Sequence, residues 1–115
     1  MYYKDSDGEI YPAVKNRREV KGVEFSTWQR EITSANILEV EAGTTGFKGG
    51  DTGHGGRTYL RIKDLAGTDI NVNVATNKFG YTDELEITLG GDTELATFIE
   101  ALKWAAGVLE IKSAE

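Results

Sequence analysis

The chain has 115 residues with a net charge of −6 and no cysteine, a length that fits one domain burying roughly two-thirds of its unfolded surface. The negative balance argues against coating a nucleic-acid polymer, which basic stripes would have to grip. Without cysteine there are no disulfides or thiolate metal sites, and no stretch approaches the ~20 apolar residues of a membrane span. The residues from Met1 to Asp5 carry no apolar signal core, so the expected location is the cytoplasm.

Residues 2–14 predict a small hairpin turning at Asp5-Ser6-Asp7-Gly8, because Asp-Gly between β-formers is a turn signal. Residues 15–22 are polar and read as a loop, so 1–22 is an N-terminal hairpin or arm. Val23, Phe25, Trp28 and Ile32 then fit a strand with a bulge or a short helical turn, the strand being preferred. In 36–42, Leu38, Val40 and Ala42 face one way and Glu39 and Glu41 the other. The same alternation sets Thr58, Leu60 and Ile62 against Tyr59, Arg61 and Lys63. It recurs at Ile70, Val72 and Val74 and again at Leu85, Ile87 and Leu89. These segments form an antiparallel sheet over 23–89, wet on one face.

Gly90-Gly91 ends the last strand, and Asp92 reads as the N-cap of a helix over 92–111. Its main apolar stripe is Leu95, Phe98, Ile99, Leu102, Ala105, Ala106 and Leu109, near a 3.6-residue period. A second stripe, Ala101, Trp104 and Val108, makes the helix more apolar than one sheet face requires. Either a deep position in the fold or a contact with another protomer would account for it. The fold class is α+β: a meander of about four to six antiparallel strands packed against one C-terminal helix.

Half of the 14 glycines lie in residues 43–56, with the only histidine, His54. A loop of this length is anomalous for a hairpin, whose connections usually run to about five residues. A phosphate loop would need glycine at Asp51 and a helix afterwards, and a dinucleotide fingerprint would need a parallel βαβ unit, so both are excluded. What fits is an anion nest of backbone N–H groups. Arg57 would grip a phosphate or carboxylate, with Lys48 adding a point charge and His54 and Thr58 supplying hydrogen bonds. Phe47, Tyr59, Phe79 and Tyr81 offer flat surfaces for a ring. The candidate ligand site is therefore Phe47, Lys48, Gly49, Gly50, Asp51, Thr52, Gly53, His54, Gly55, Gly56, Arg57 and Thr58. No catalytic residue, metal or cofactor is assigned.

The string Gly49-Gly50-Asp51-Thr52-Gly53-His54-Gly55-Gly56-Arg57-Thr58, on a small acidic chain, resembles short phage-encoded proteins, among them those that sequester nucleotide signals of bacterial immunity. That resemblance implies a homo-oligomer, here formed through the C-terminal helix. It would act in the host cytoplasm and bind a cyclic nucleotide or an ADP-ribose derivative without cleaving it. Two other expectations stand beside it. One is a protein-interaction module that inhibits a host protein; the other is a metal-dependent phosphoesterase using Asp51 and His54.

Overall fold

A computed structural model of the protein describes residues 3–4, 10–11, 13–33, 37–47, 55–65 and 69–114. It is α+β. Strands β1 (Tyr3–Lys4) and β2 (Ile10–Tyr11) pair antiparallel, as the expected N-terminal hairpin requires; its turn lies outside the described residues. Strands β3 (Val14–Val20), β4 (Val23–Thr33), β5 (Ile37–Thr44) and β6 (Thr58–Asp64) form an antiparallel meander in chain order. A separate two-stranded hairpin follows, β7 (Ile70–Thr76) with β8 (Thr82–Leu89), and then helix α1 (Asp92–Ser113).

Residues 15–20, expected as a loop, are most of strand β3. Its charged side chains mark an edge strand, where they discourage pairing with other chains. A two-residue turn joins β3 to β4, with Val20 opposite Val23. Both central residues have positive φ, Lys21 at 51° and Gly22 at 80°, as this tight hairpin geometry demands. Glycine accepts that conformation freely, whereas a lysine there costs about 1 kcal/mol.

The register sorts the sheet into two faces of different chemistry. Trp28, Ile32, Leu38, Val40 and Ala42 lie beneath the helix and are buried. Ala101, Trp104, Ala105 and Val108 of α1 complete that core. Both tryptophans are thus core residues. Arg30 reaches from β4 to Glu100 of α1 at 3.1 Å and pins the helix along the sheet.

The helix docks on the smaller of its two apolar stripes. Thr97, Ala101, Trp104, Ala105 and Val108 face the sheet, while Leu95, Ile99 and Leu102 are exposed. Neither a deep position nor burial on all sides explains the helix: one face is covered and the bulkier one is not. Alanine and glycine on the docking side let the axis approach β5 closely. Its N-cap is Gly91 (φ 112°), with no side-chain cap bond, and Asp92 sits instead in the first turn, where its charge complements the helix dipole. A Cβ at Gly91 would lie 1.9 Å from Glu94 Oε1, so the carboxylate folds back over the glycine.

Asn77 lies between β7 and β8. It builds the β7–β8 turn, where its side-chain oxygen accepts from the N–H groups of Phe79 and Tyr81 at 2.9 and 3.1 Å.

Candidate functional site

The open face of the four-stranded sheet centres on one carboxylate. Glu41 is fully buried there, although no helix covers it. Arg18 of β3 donates to it from Nε and Nη2 at 2.7 and 2.8 Å. Thr27 of β4 donates its hydroxyl at 2.5 Å. Arg61 of β6 donates from Nε and Nη2 at 3.0 and 2.9 Å and also pairs with Glu39. One side chain therefore ties four strands together through charge-assisted hydrogen bonds. Burial pushes the Glu41 carboxyl up, but the bonds from Arg18, Thr27 and Arg61 outweigh it and hold the group at about 2. Both guanidiniums are held above their usual range, chiefly by bonds to Glu41 for Arg18 and to Glu39 for Arg61. This satisfied network is structural, and it commits Arg18 and Arg61 to partners within the fold.

The glycine segment is described at its two ends, 43–47 and 55–58. Of the sequence-expected ligand residues, Lys48, Gly49, Gly50, Asp51, Thr52, Gly53 and His54 lie outside the described residues; Phe47, Gly55, Gly56, Arg57 and Thr58 lie within them. The two ends close into a narrow neck. Thr44 pairs with Thr58 as the last rung of β5 and β6. Beyond it, Thr45 N–H donates to Arg57 C=O at 3.0 Å, and Arg57 N–H donates to Thr45 Oγ1 at 2.9 Å. Gly46 N–H donates to Thr44 Oγ1 at 3.0 Å.

The neck also explains three glycines. Gly46 has φ 84°, and a Cβ at Gly56 would lie 1.8 Å from the Gly46 carbonyl oxygen. A Cβ at Gly43 would lie 2.3 Å from Ser26 O, inside the β4–β5 ladder. These residues allow close backbone approach. The N–H groups of Thr45, Gly46 and Arg57 are taken by these internal bonds.

The neck's side chains divide between the two faces of the sheet. Phe47, 88 % exposed, borders a depression of about 350 Å³ on the helix side with Gly56, Leu109, Glu110 and Ser113. The negative end of the helix dipole and Glu110 make that depression hostile to anions. Arg57 goes to the open face, into a depression of about 330 Å³ with Val20, Lys21, Val23, Phe25 and Thr58. Buried Phe25, packed against Tyr59 with centroids 5.8 Å apart, forms its apolar floor. Arg57 Nη1 also donates to Gly55 C=O at 2.8 Å, which fixes the guanidinium beside the neck.

Thus Thr58 borders both depressions, Phe47 separates from Arg57, and Lys21, Phe25, Val20 and Val23 join Arg57. Phe79 and Tyr81 lie at the β7–β8 turn, away from the neck in the chain and on another sheet. Sequence reading placed Lys21 in the polar loop of 15–22. Its pairing with Arg57, thirty-six positions on, follows only once 14–20 is a strand. Among the described residues no group of three or more His, Cys, Asp or Glu side chains could hold a metal ion, and Asp51 and His54 lie outside them. No described helix is long and apolar enough to cross a membrane. The chain matches no family model, no curated protein and no solved structure.

Proposed function

We propose that the protein binds a small phosphate-bearing ligand, nucleotide-derived, at the Lys21–Arg57 depression, and holds it without turnover. The observation that carries this reading is the meeting of two cations over an apolar floor, in a chain whose net charge is −6. Arg57 supplies a planar fork for phosphate oxygens, and Lys21 adds a compact charge on the other side. Phe25, Val20 and Val23 offer the apolar surface that a base or sugar edge would cover. A volume of about 330 Å³ is at the small end of ligand sites and suits a mononucleotide-sized group. Sequestration of an immune signal in a host cytoplasm, an anti-defence role, is the biological setting this reading implies.

Isothermal titration against a panel of cyclic nucleotides and ADP-ribose derivatives tests the reading. One ligand should bind, and Arg57→Ala should weaken it roughly 10- to 100-fold, the effect of losing a charge-assisted pair. Heat from none of the panel, or equal binding by the variant, would remove the proposal.

The protein-interaction expectation draws on a separate feature, the bulky apolar surface that the helix and the β7–β8 hairpin leave uncovered.

A further inference from the structure

The β7–β8 hairpin has one apolar face and one polar face. Its register puts Val72 opposite Ile87 and Val74 opposite Leu85 on one side, and Asn73 opposite Glu86 on the other. Among the described residues, the apolar face meets the rest of the chain along a cleft of about 170 Å³, where Ile70, Val72, Leu85 and Ile87 lie with Leu60, Ile62 and Phe98. Even so, Val74 is 58 % exposed and Leu85 62 %. The adjoining side of α1 presents Leu95, Ile99 and Leu102, at 58 %, 43 % and 44 %.

Together with Leu60, Val72 and Ile87, these side chains expose roughly 600–700 Å² of mostly apolar surface. That approaches the ~800 Å² each partner contributes to a stable protein interface, and it exceeds the usual largest patch of a monomer. A two-stranded hairpin is at best marginally stable without a covered face. Its cover must therefore be available whenever the chain folds, and a second copy of the chain meets that condition.

The geometry points to a two-fold homodimer in which the outward stripe of α1 enters the cleft between helix and hairpin of the other copy. This inference is independent of the ligand reading. The patch is self-complementary: each chain carries both the ridge, Leu95, Ile99 and Leu102, and the groove beside β7–β8. A two-fold axis satisfies both at once. Leu95, Ile99 and Leu102 and the hairpin's Val72, Val74, Leu85 and Ile87 are uncharged, and Glu84 and Glu86 alternate onto the opposite hairpin face, while Asp83 stands at the bulge by the turn. Two copies of net charge −6 therefore repel only at a distance, which salt screens, so added salt should strengthen the association.

Sedimentation equilibrium of the full chain at roughly 100 µM tests this. The expected mass is twice that of the chain, with tighter association at higher salt. Leu102→Glu sits on exposed helix and should fold with unchanged circular dichroism while weakening the dimer about 100-fold. Val14→Glu, on the exposed edge strand β3, should leave the dimer unchanged. A monomeric wild type, a dimer indifferent to Leu102→Glu, or a dimer weakened equally by Val14→Glu and Leu102→Glu would each overturn the inference.

Discussion

Glu41 shows how much one residue can decide in a small sheet. Its carboxyl is held at about 2 against an ordinary 4.5, so the folded state binds its proton later than the unfolded chain does. Between those values the unfolded chain carries more protons, and stability rises with pH. The contribution is therefore complete above about pH 4.5 and is lost as pH falls towards 2. Its size is on the order of 2 kcal/mol, allowing for the partial exposure of Arg18. Denaturant titrations across that range should show the slope, and Glu41→Gln should flatten it while lowering stability at pH 7 by about 2–3 kcal/mol. An unchanged slope in the variant would assign the acid sensitivity to another group.

Strand alternation alone put Glu39 and Glu41 on the face away from the helix, and that is where they lie. The burial of Glu41 was not legible, because Arg18 closes over it from a segment whose polar sequence reads as loop. Gly56 makes a second case at this scale. A methyl group there would lie 1.8 Å from backbone oxygen, which cannot swing aside. Gly56→Ala should lower the melting temperature by the equivalent of about 1–3 kcal/mol and weaken ligand binding with it.

At the level of elements, the helix divides into a docking side of small residues and an outer side of large ones. Ala101 is fully buried against the sheet and Ala106 is exposed. Ala101→Leu should therefore cost about 1–3 kcal/mol by overpacking, and Ala106→Leu should leave the melting temperature of the monomer fold nearly unchanged. Equal effects at the two sites would mean the helix is seated on its other face. The 3.6-residue period located the helix and nearly its full length. It could not choose the docking side, because bulk favours Leu95, Ile99 and Leu102 while close approach favours Ala101 and Ala105. The strand signals held for the same physical reason: one buried face enforces alternation at every second residue. Residues 14–20 escaped because an edge strand on the wet side needs charges more than it needs alternation.

The whole molecule is broad and thin, 47 × 43 × 19 Å, with a radius of gyration of 15.5 Å. A compact chain of this length would have about 13 Å. The excess is what a hairpin projecting from a two-layer body produces. Hydrogen exchange should follow this division. Amides of β4 and β5, beneath the helix, should be the slowest, and those of β7–β8 should exchange far faster in dilute solution. As protein concentration rises, β7–β8 alone should gain protection. Uniform protection at all concentrations would instead mean that the hairpin is stable by itself. The site is likewise a whole-molecule property. Its cations come from a turn and a loop neck at one end of the sheet, and only the finished meander brings them together.

The turn at Lys21 carries a consequence for anyone who would harden this protein by laboratory evolution. Asparagine tolerates the left-handed backbone there better than lysine does, so Lys21→Asn should raise the melting temperature by about 2–5 °C. The same change would remove one of the two cations from the depression. A screen that rewards heat resistance alone would select that substitution early and return a sturdier fold with an emptied pocket, while a screen for ligand capture would keep the strained lysine.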